Sequence, residues 1–142
     1  MVNMIGNVLP SLIICNITTL GKKRRGMELD RCVFCKIIAE EIPSRKVYED
    51  EHLIVIEDIS PVAPLHVLII PRRHIVNSLD LEEEDSFVVG HAFQVAAKIA
   101  RKNGLADEGF RIVNNNNVGA GQSVFHLHFH LLAGRKFSWP PG

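Results

Sequence analysis

The stretch Phe125-His-Leu-His-Phe-His-Leu-Leu132 constrains this chain more than any other part of it. Side chains alternate between faces along an extended strand. A strand over Phe125 to Leu132 therefore gathers His126, His128 and His130 on one face and Leu127, Phe129 and Leu131 on the other. Three imidazoles so close are costly to hold charged. Neutral, they can take a metal, shuttle protons or attack an electrophile. A solvated polar face and a three-histidine zinc site compete with this reading. An imidazole nucleophile with orienting neighbours is the reading we carry forward.

The remaining composition narrows the ligand. The chain has 142 residues, 46% of them apolar, enough for one domain with a core. Lys plus Arg and Asp plus Glu number 16 each, so the formal net charge is zero. Binding to polymeric nucleic acid is driven by phosphate neutralisation and favours a basic excess, which argues against that partner. A small nucleotide is compatible with neutrality. Three cysteines are too few for a secreted disulfide framework, and a cytoplasmic location is expected. Cys32 and Cys35 form a Cys-x-x-Cys pair, readable as half a metal site or as a redox motif. No thioredoxin-like β-α-β pattern surrounds it.

Residues 1–29 differ from the rest. The apolar run Val8 to Leu20 contains Pro10 and Asn16, and the basic cluster Lys22 to Arg25 follows it. That order does not match a secretory signal, and the run is short of the ~20 apolar residues of a membrane span. No membrane partner is expected. We read residues 1–26 as a misassigned start or flexible extension, with an added strand or dimer arm as the alternative. Residues 30–142 form the domain.

Within the domain the pattern is α+β. A short helix is expected over residues 34–41, stopped before Pro43. Val47-Tyr48 and Leu53 to Ile56 read as strands around a Glu49-Asp50-Glu51 turn, and His66 to Ile70 as a third strand. A helix beginning near Asp80 and Glu83 carries a stripe of Val88, Val89, Ala92, Phe93, Ala96, Ile99 and Ala100, with Gly104 placed to stop it. Phe110 to Val113 and Phe125 to Leu132 complete five strands. A meander-like antiparallel sheet with the long helix on one face follows.

His126-Leu-His-Phe-His-Leu-Leu132 resembles the His-φ-His-φ-His-φ-φ signature of the histidine triad superfamily, φ being apolar. Cys32-Val-Phe-Cys-Lys-Ile-Ile38, Asp58-Ile-Ser-Pro61, Pro64-Leu-His-Val-Leu-Ile-Ile-Pro71, Gly121-Gln-Ser-Val124 and Trp139-Pro-Pro-Gly142 are similar, in order, to blocks of its Hint branch. The resemblance spans residues 30–142. It implies an α+β fold with a five-stranded antiparallel sheet, one long and one short helix, forming a homodimer. It also implies a hydrolase of nucleoside 5'-monophosphoramidates, purine nucleotides linked to an amine, working through a nucleotidyl-histidine intermediate.

By that resemblance His128 is the nucleophile and His130 contacts a phosphate oxygen or the departing group. His126 and Ser123 complete the catalytic set. Asn115, Gln122 and Ser123, with the Gly121 loop, are the expected phosphate contacts. Asp58 is the expected ribose contact, while Ile37, Ile56 and Ile59 would wall the base. Core packing for Ile37 and Ile56, and a turn role for Asp58, are the competing readings. Asn114, Asn116 and Asn117 are read as turn residues. Asn117 and Gly119 depart from the family pattern, which leaves the fit to the leaving group open.

The resemblance further implies a structural zinc ion on Cys32, Cys35, His66 and His126, and no organic cofactor. His52, His74 and His91 are read as surface or structural. Two alternatives remain: a dinucleoside polyphosphate hydrolase or nucleotidyl transferase, and a nucleotide-binding interaction module without turnover.

Overall fold

The computed structural model describes residues 30–142; the expectations for the first 29 residues lie outside them. Helix α1 spans Val33–Ile38. Strands β1 (Lys46–Glu49), β2 (Leu53–Glu57) and β3 (Leu65–Pro71) follow. Helix α2 spans Ser86–Lys102, and strands β4 (Phe110–Val113) and β5 (Phe129–Ala133) end the fold. Among the described residues no helix is long and apolar enough to cross a membrane.

All strand pairs are antiparallel, in the order β1-β2-β3-β5-β4. The expected meander is thus corrected. After β3 the chain crosses through α2 and lays down β4 as an edge strand, and β5 returns between them.

Alternation sorts the sheet into two faces. Leu53, Val55, Val67, Ile69, Leu127, Phe129 and Leu131 pack with Ala92, Val95, Ala96 and Ile99 of α2. Ile54, Ile56, Leu68 and Ile70 pack against Phe34 and Ile37 of α1. Burial on both sides explains why β3 is almost continuously apolar. The histidines lie on the α1 side, with Phe34 edge-on to His126 and His128 at centroid distances of 5.9 and 5.2 Å.

Three boundaries move. Helix α1 stops at Ile38 because Glu40 adopts a left-handed φ of 62°. Helix α2 is preceded by a 3-10 turn whose capping box is Glu82 with Asp85 rather than Asp80 with Glu83. On its apolar stripe Val95 is buried, whereas Phe93 is half exposed. The third shift matters most: β5 pairs only from Phe129 onward, so His126 and His128 precede the β-ladder.

Candidate active site and metal centre

Antiparallel pairing of β3 with β5 fixes who meets whom. His66 stands opposite Leu132 and Leu68 opposite His130. His66 is therefore the diagonal neighbour of His130 on the same face. His66 Nε2 lies 2.9 Å from His130 Nδ1 and 3.2 Å from Asp58 Oδ2. The Val62 N–H donates to His66 Nδ1 at 3.1 Å. An amide can only donate, so the proton of a neutral His66 sits on Nε2, facing His130 and Asp58. His130 then accepts at Nδ1 and carries its own proton on Nε2. Asp58 also accepts the Ser60 N–H at 2.7 Å, so the turn role and the site role coexist in one carboxylate.

His128 is oriented by a carbonyl. Its Nδ1 lies 2.7 Å from the His126 backbone oxygen. Because that oxygen can only accept, Nδ1 carries the proton and Nε2 keeps an available lone pair. Asn114 Nδ2 donates to the His128 carbonyl at 2.9 Å. Burial holds the His128 pKa below the ordinary histidine range, against the pull of its bond to His126 and of Asp58. His130 is pushed down to about 4 by burial, then by His128 and His66. His66 is also lowered by burial, opposed by Asp58. The row is therefore neutral at pH 7, as attack by an imidazole lone pair requires.

A different cluster surrounds His126. Its Nε2–H donates to the Pro71 carbonyl at 2.8 Å, which leaves Nδ1 unprotonated. That Nδ1 lies 3.5 Å from Cys32 Sγ, 3.6 Å from Cys35 Sγ and 3.2 Å from His74 Nδ1. Cys35 Sγ lies 3.3 Å from His74 Nδ1, and the four ligand atoms all fall within 4.8 Å of one another. A zinc tetrahedron with Zn–N of about 2.0–2.1 Å and Zn–S of about 2.3 Å has N–N edges of about 3.3 Å and S–N edges of about 3.6 Å. The measured separations fit that donor set. Burial, then the neighbouring Cys32, pushes the Cys35 thiol up to about 12. The Cys35 thiol thus carries thiolate charge only where a cation compensates it, which disfavours the redox reading.

The ligand set is accordingly corrected. His74, expected to be surface or structural, takes the position assigned to His66. His66 cannot reach it, because it opens β3 while His74 lies three residues beyond the strand's end. Asp58, His66 and His130 form a second compact group. Its tautomers make it a hydrogen-bonded chain, since His66 Nε2 already bears a proton.

The asparagine run also resolves. Asn116 Oδ1 accepts the Ser78 N–H, Asn114 Oδ1 accepts from Ser78 Oγ and Asn116 Nδ2, and Asn117 Oδ1 accepts from Asn77 Nδ2. They tie two loops together rather than turning on their own backbone. Asn115 alone of the four makes no side-chain hydrogen bond within the described residues. Gln122 is corrected as a phosphate contact. It is 4% exposed, and its carboxamide takes the Asn117 N–H while donating to the Val76 and Val124 carbonyls. Ser123 is exposed, and Gly121 adopts a φ of 85° that a side chain would strain. Ile37 and Ile56 are core residues, whereas Ile59 is 99% exposed.

Sequence reasoning missed His74, Phe34 and Asn114. Only His74 left a usable signal: an antiparallel partner of β5 brings residues just past the end of β3 beside His126.

The HIT domain family model matches residues 39–137. A protein of Synechocystis described as an uncharacterized HIT-like protein is 46% identical over 110 residues, covering 78% of this chain and 96% of that one. The crystal structure of a HIT family hydrolase from Legionella pneumophila superposes with a TM-score of 0.76 at 46% identity, covering 78% of this chain and 99% of that chain. A HIT family hydrolase from Clostridium thermocellum gives 0.74 at 48% identity, covering 77% and 95%. This chain belongs to the HIT domain family.

Proposed function

We propose that the protein hydrolyses nucleoside 5'-monophosphoramidates through a nucleotidyl intermediate on His128. The observation that carries this reading is the bond from His128 Nδ1–H to the His126 carbonyl, which leaves Nε2 as a neutral nucleophile. The Legionella and Clostridium neighbours are HIT family hydrolases, which supports the reaction class. Nε2 attacks phosphorus, the P–N bond breaks, and the nitrogen departs as an amine with a proton from His130 Nε2–H, which the water of the second step restores. Water then attacks the nucleotidyl-imidazole, releasing the nucleoside monophosphate and restoring His128. Splitting the displacement in two lowers each barrier. His130 Nε2–H, Ser123 and Asn115 are donors for the phosphate oxygens or the departing group. Such donors are each worth about 3 kcal/mol in comparable sites.

Asp58 accepts the ribose hydroxyls in this reading. Ile59, bare beside it, supplies apolar cover for a purine without reading its edge. A zinc ion on Cys32, Cys35, His74 and His126 fits the donor set and would act as a structural cross-link, supplying no chemistry to the phosphate. The thiol pair must stay reduced to serve, which goes with a cytoplasmic location. A homodimer is supported by the edge position of β4 and the exposure of Phe93 and Phe110.

Hydrolysis of adenosine 5'-phosphoramidate by wild type and His128→Ala tests the reading. Turnover by wild type alone, with a trapped nucleotidyl adduct, is expected. Nucleotide binding without wild-type turnover would overturn it in favour of an interaction module. Cleavage confined to dinucleoside polyphosphates would shift it to that substrate class.

A further inference from the structure

We propose that Cys32, Cys35 and His74 are positioning residues for the nucleophile, acting through His126 to hold His128 in its attacking tautomer. The inference rests on the catalytic role given above to His128 and on the donor set of the Cys2His2 centre.

The starting point is where the β-ladder ends. Ladder pairing between β3 and β5 stops at Ile69 and Phe129. His128 therefore sits on backbone that no strand pairing fixes. The last β3 carbonyl on this side, that of Pro71, accepts from the His126 ring instead of from a strand amide. Something else must define residues 126–128, because a nucleophile misplaced by about 1 Å can lose about 100-fold in rate.

The segment following β3 supplies that definition from three consecutive residues. His74 presents Nδ1 to the metal group. The Ile75 carbonyl accepts the Leu127 N–H at 2.6 Å. The Val76 carbonyl accepts from the Gln122 carboxamide at 2.7 Å. Only the first of these depends on a cation. Without one, the unprotonated Nδ1 of His126, itself fully buried, faces two weakly donating thiols and a second imidazole. The His126 ring then gains by turning or changing tautomer, and its own peptide carries the carbonyl that sets the His128 proton. With four ligand bonds formed, α1, the 74–76 segment and the catalytic segment are cross-linked where the sheet no longer joins them.

A merely structural centre would brace the whole fold. A positioning centre alters His128 while the sheet stays intact, so the two are separable. The readout is the imidazole Nδ1–H correlation of His128 by 15N NMR, assigned by its loss in His128→Gln, in substrate-free protein. Zinc-loaded wild type should show this proton protected from exchange. Cys35→Ala should lose zinc and the resonance, with kcat down about 10–100-fold and KM within about twofold. Cys35→His, which restores a fourth ligand, should recover both.

Retention of the resonance and of kcat in zinc-free Cys35→Ala would overturn the proposal. Should that variant fail to fold, the same readings are taken on wild type stripped with a chelator, with circular dichroism following the sheet. Loss of the His128 signal only together with global unfolding also overturns it. The NMR reading needs no substrate, so failure of wild type to cleave phosphoramidates would defeat the hydrolase assignment and leave this one to be judged separately.

Discussion

Replacing Asp50 separates what stabilises this fold from what performs its chemistry. Asp50 lies in the turn between β1 and β2, and its carboxylate is a hub. Oδ1 accepts the His52 and Leu53 amides at 2.8 and 3.0 Å, and Oδ2 accepts the Tyr48 hydroxyl and His91 Nε2 at 2.8 and 2.6 Å. Its side chain is 23% exposed and that of His91 19%, so the bonds are only partly screened. Leu53 is fully buried, and stranding its amide costs about 1–3 kcal/mol. The two Oδ2 bonds, charge-assisted but near solvent, add about 1 kcal/mol each. Asp50→Ala should therefore destabilise by about 3–5 kcal/mol. Asp50→Asn keeps the Oδ1 contacts and should cost about 1–2 kcal/mol.

Urea unfolding at pH 7 measures both. The pH dependence supplies a second reading. Hydrogen bonds from His91, His52, Leu53 and Tyr48 hold the Asp50 carboxyl well below the ordinary range, outweighing the opposing effect of burial. The unfolded carboxyl, near about 3.9, binds its proton first as pH falls. The stabilisation is thus complete above about pH 5 and is lost progressively below about pH 4. Asp50→Asn should lack this acid slope. Since His91 belongs to α2, on the sheet face opposite the histidines, kcat at 25 °C should not change. A cost below 1 kcal/mol for Asp50→Ala, or an acid slope surviving in Asp50→Asn, would refute the hub.

Gln122→Ala strands the Asn117 amide and the Val76 and Val124 carbonyls; we expect about 2–3 kcal/mol of destabilisation and a lower kcat/KM, both measurable on one preparation. Gly134 has a φ of 87°, and an added Cβ would lie 2.9 Å from Pro64 Cβ. Gly134→Ala should cost about 2–4 kcal/mol from strain and overpacking together, read as a lowered urea midpoint.

Alternation alone was enough to put three histidines on one side and three apolar residues on the other, although only His130 of the three lies in the strand. The pattern of elements gave five strands, one short helix and one long one. These are local consequences of a period of two or of 3.6, and periodicity is written in one dimension. Which histidine joins the cysteines is not local. His66 and His74 lie eight residues apart, and the strand from His66 to Pro71 alone carries the chain roughly 16 Å from His66 at about 3.3 Å per residue. Only the antiparallel register of β3 with β5 sends His66 to His130 and His74 to His126. The role of Gln122 was likewise undecided, because a carboxamide serves a loop or a ligand equally well until its partners are in place. The nucleophile's residue type and face were legible in the sequence. Its tautomer was decided by the tertiary structure, since the late start of β5 lets the His126 carbonyl accept from His128 rather than from a neighbouring strand.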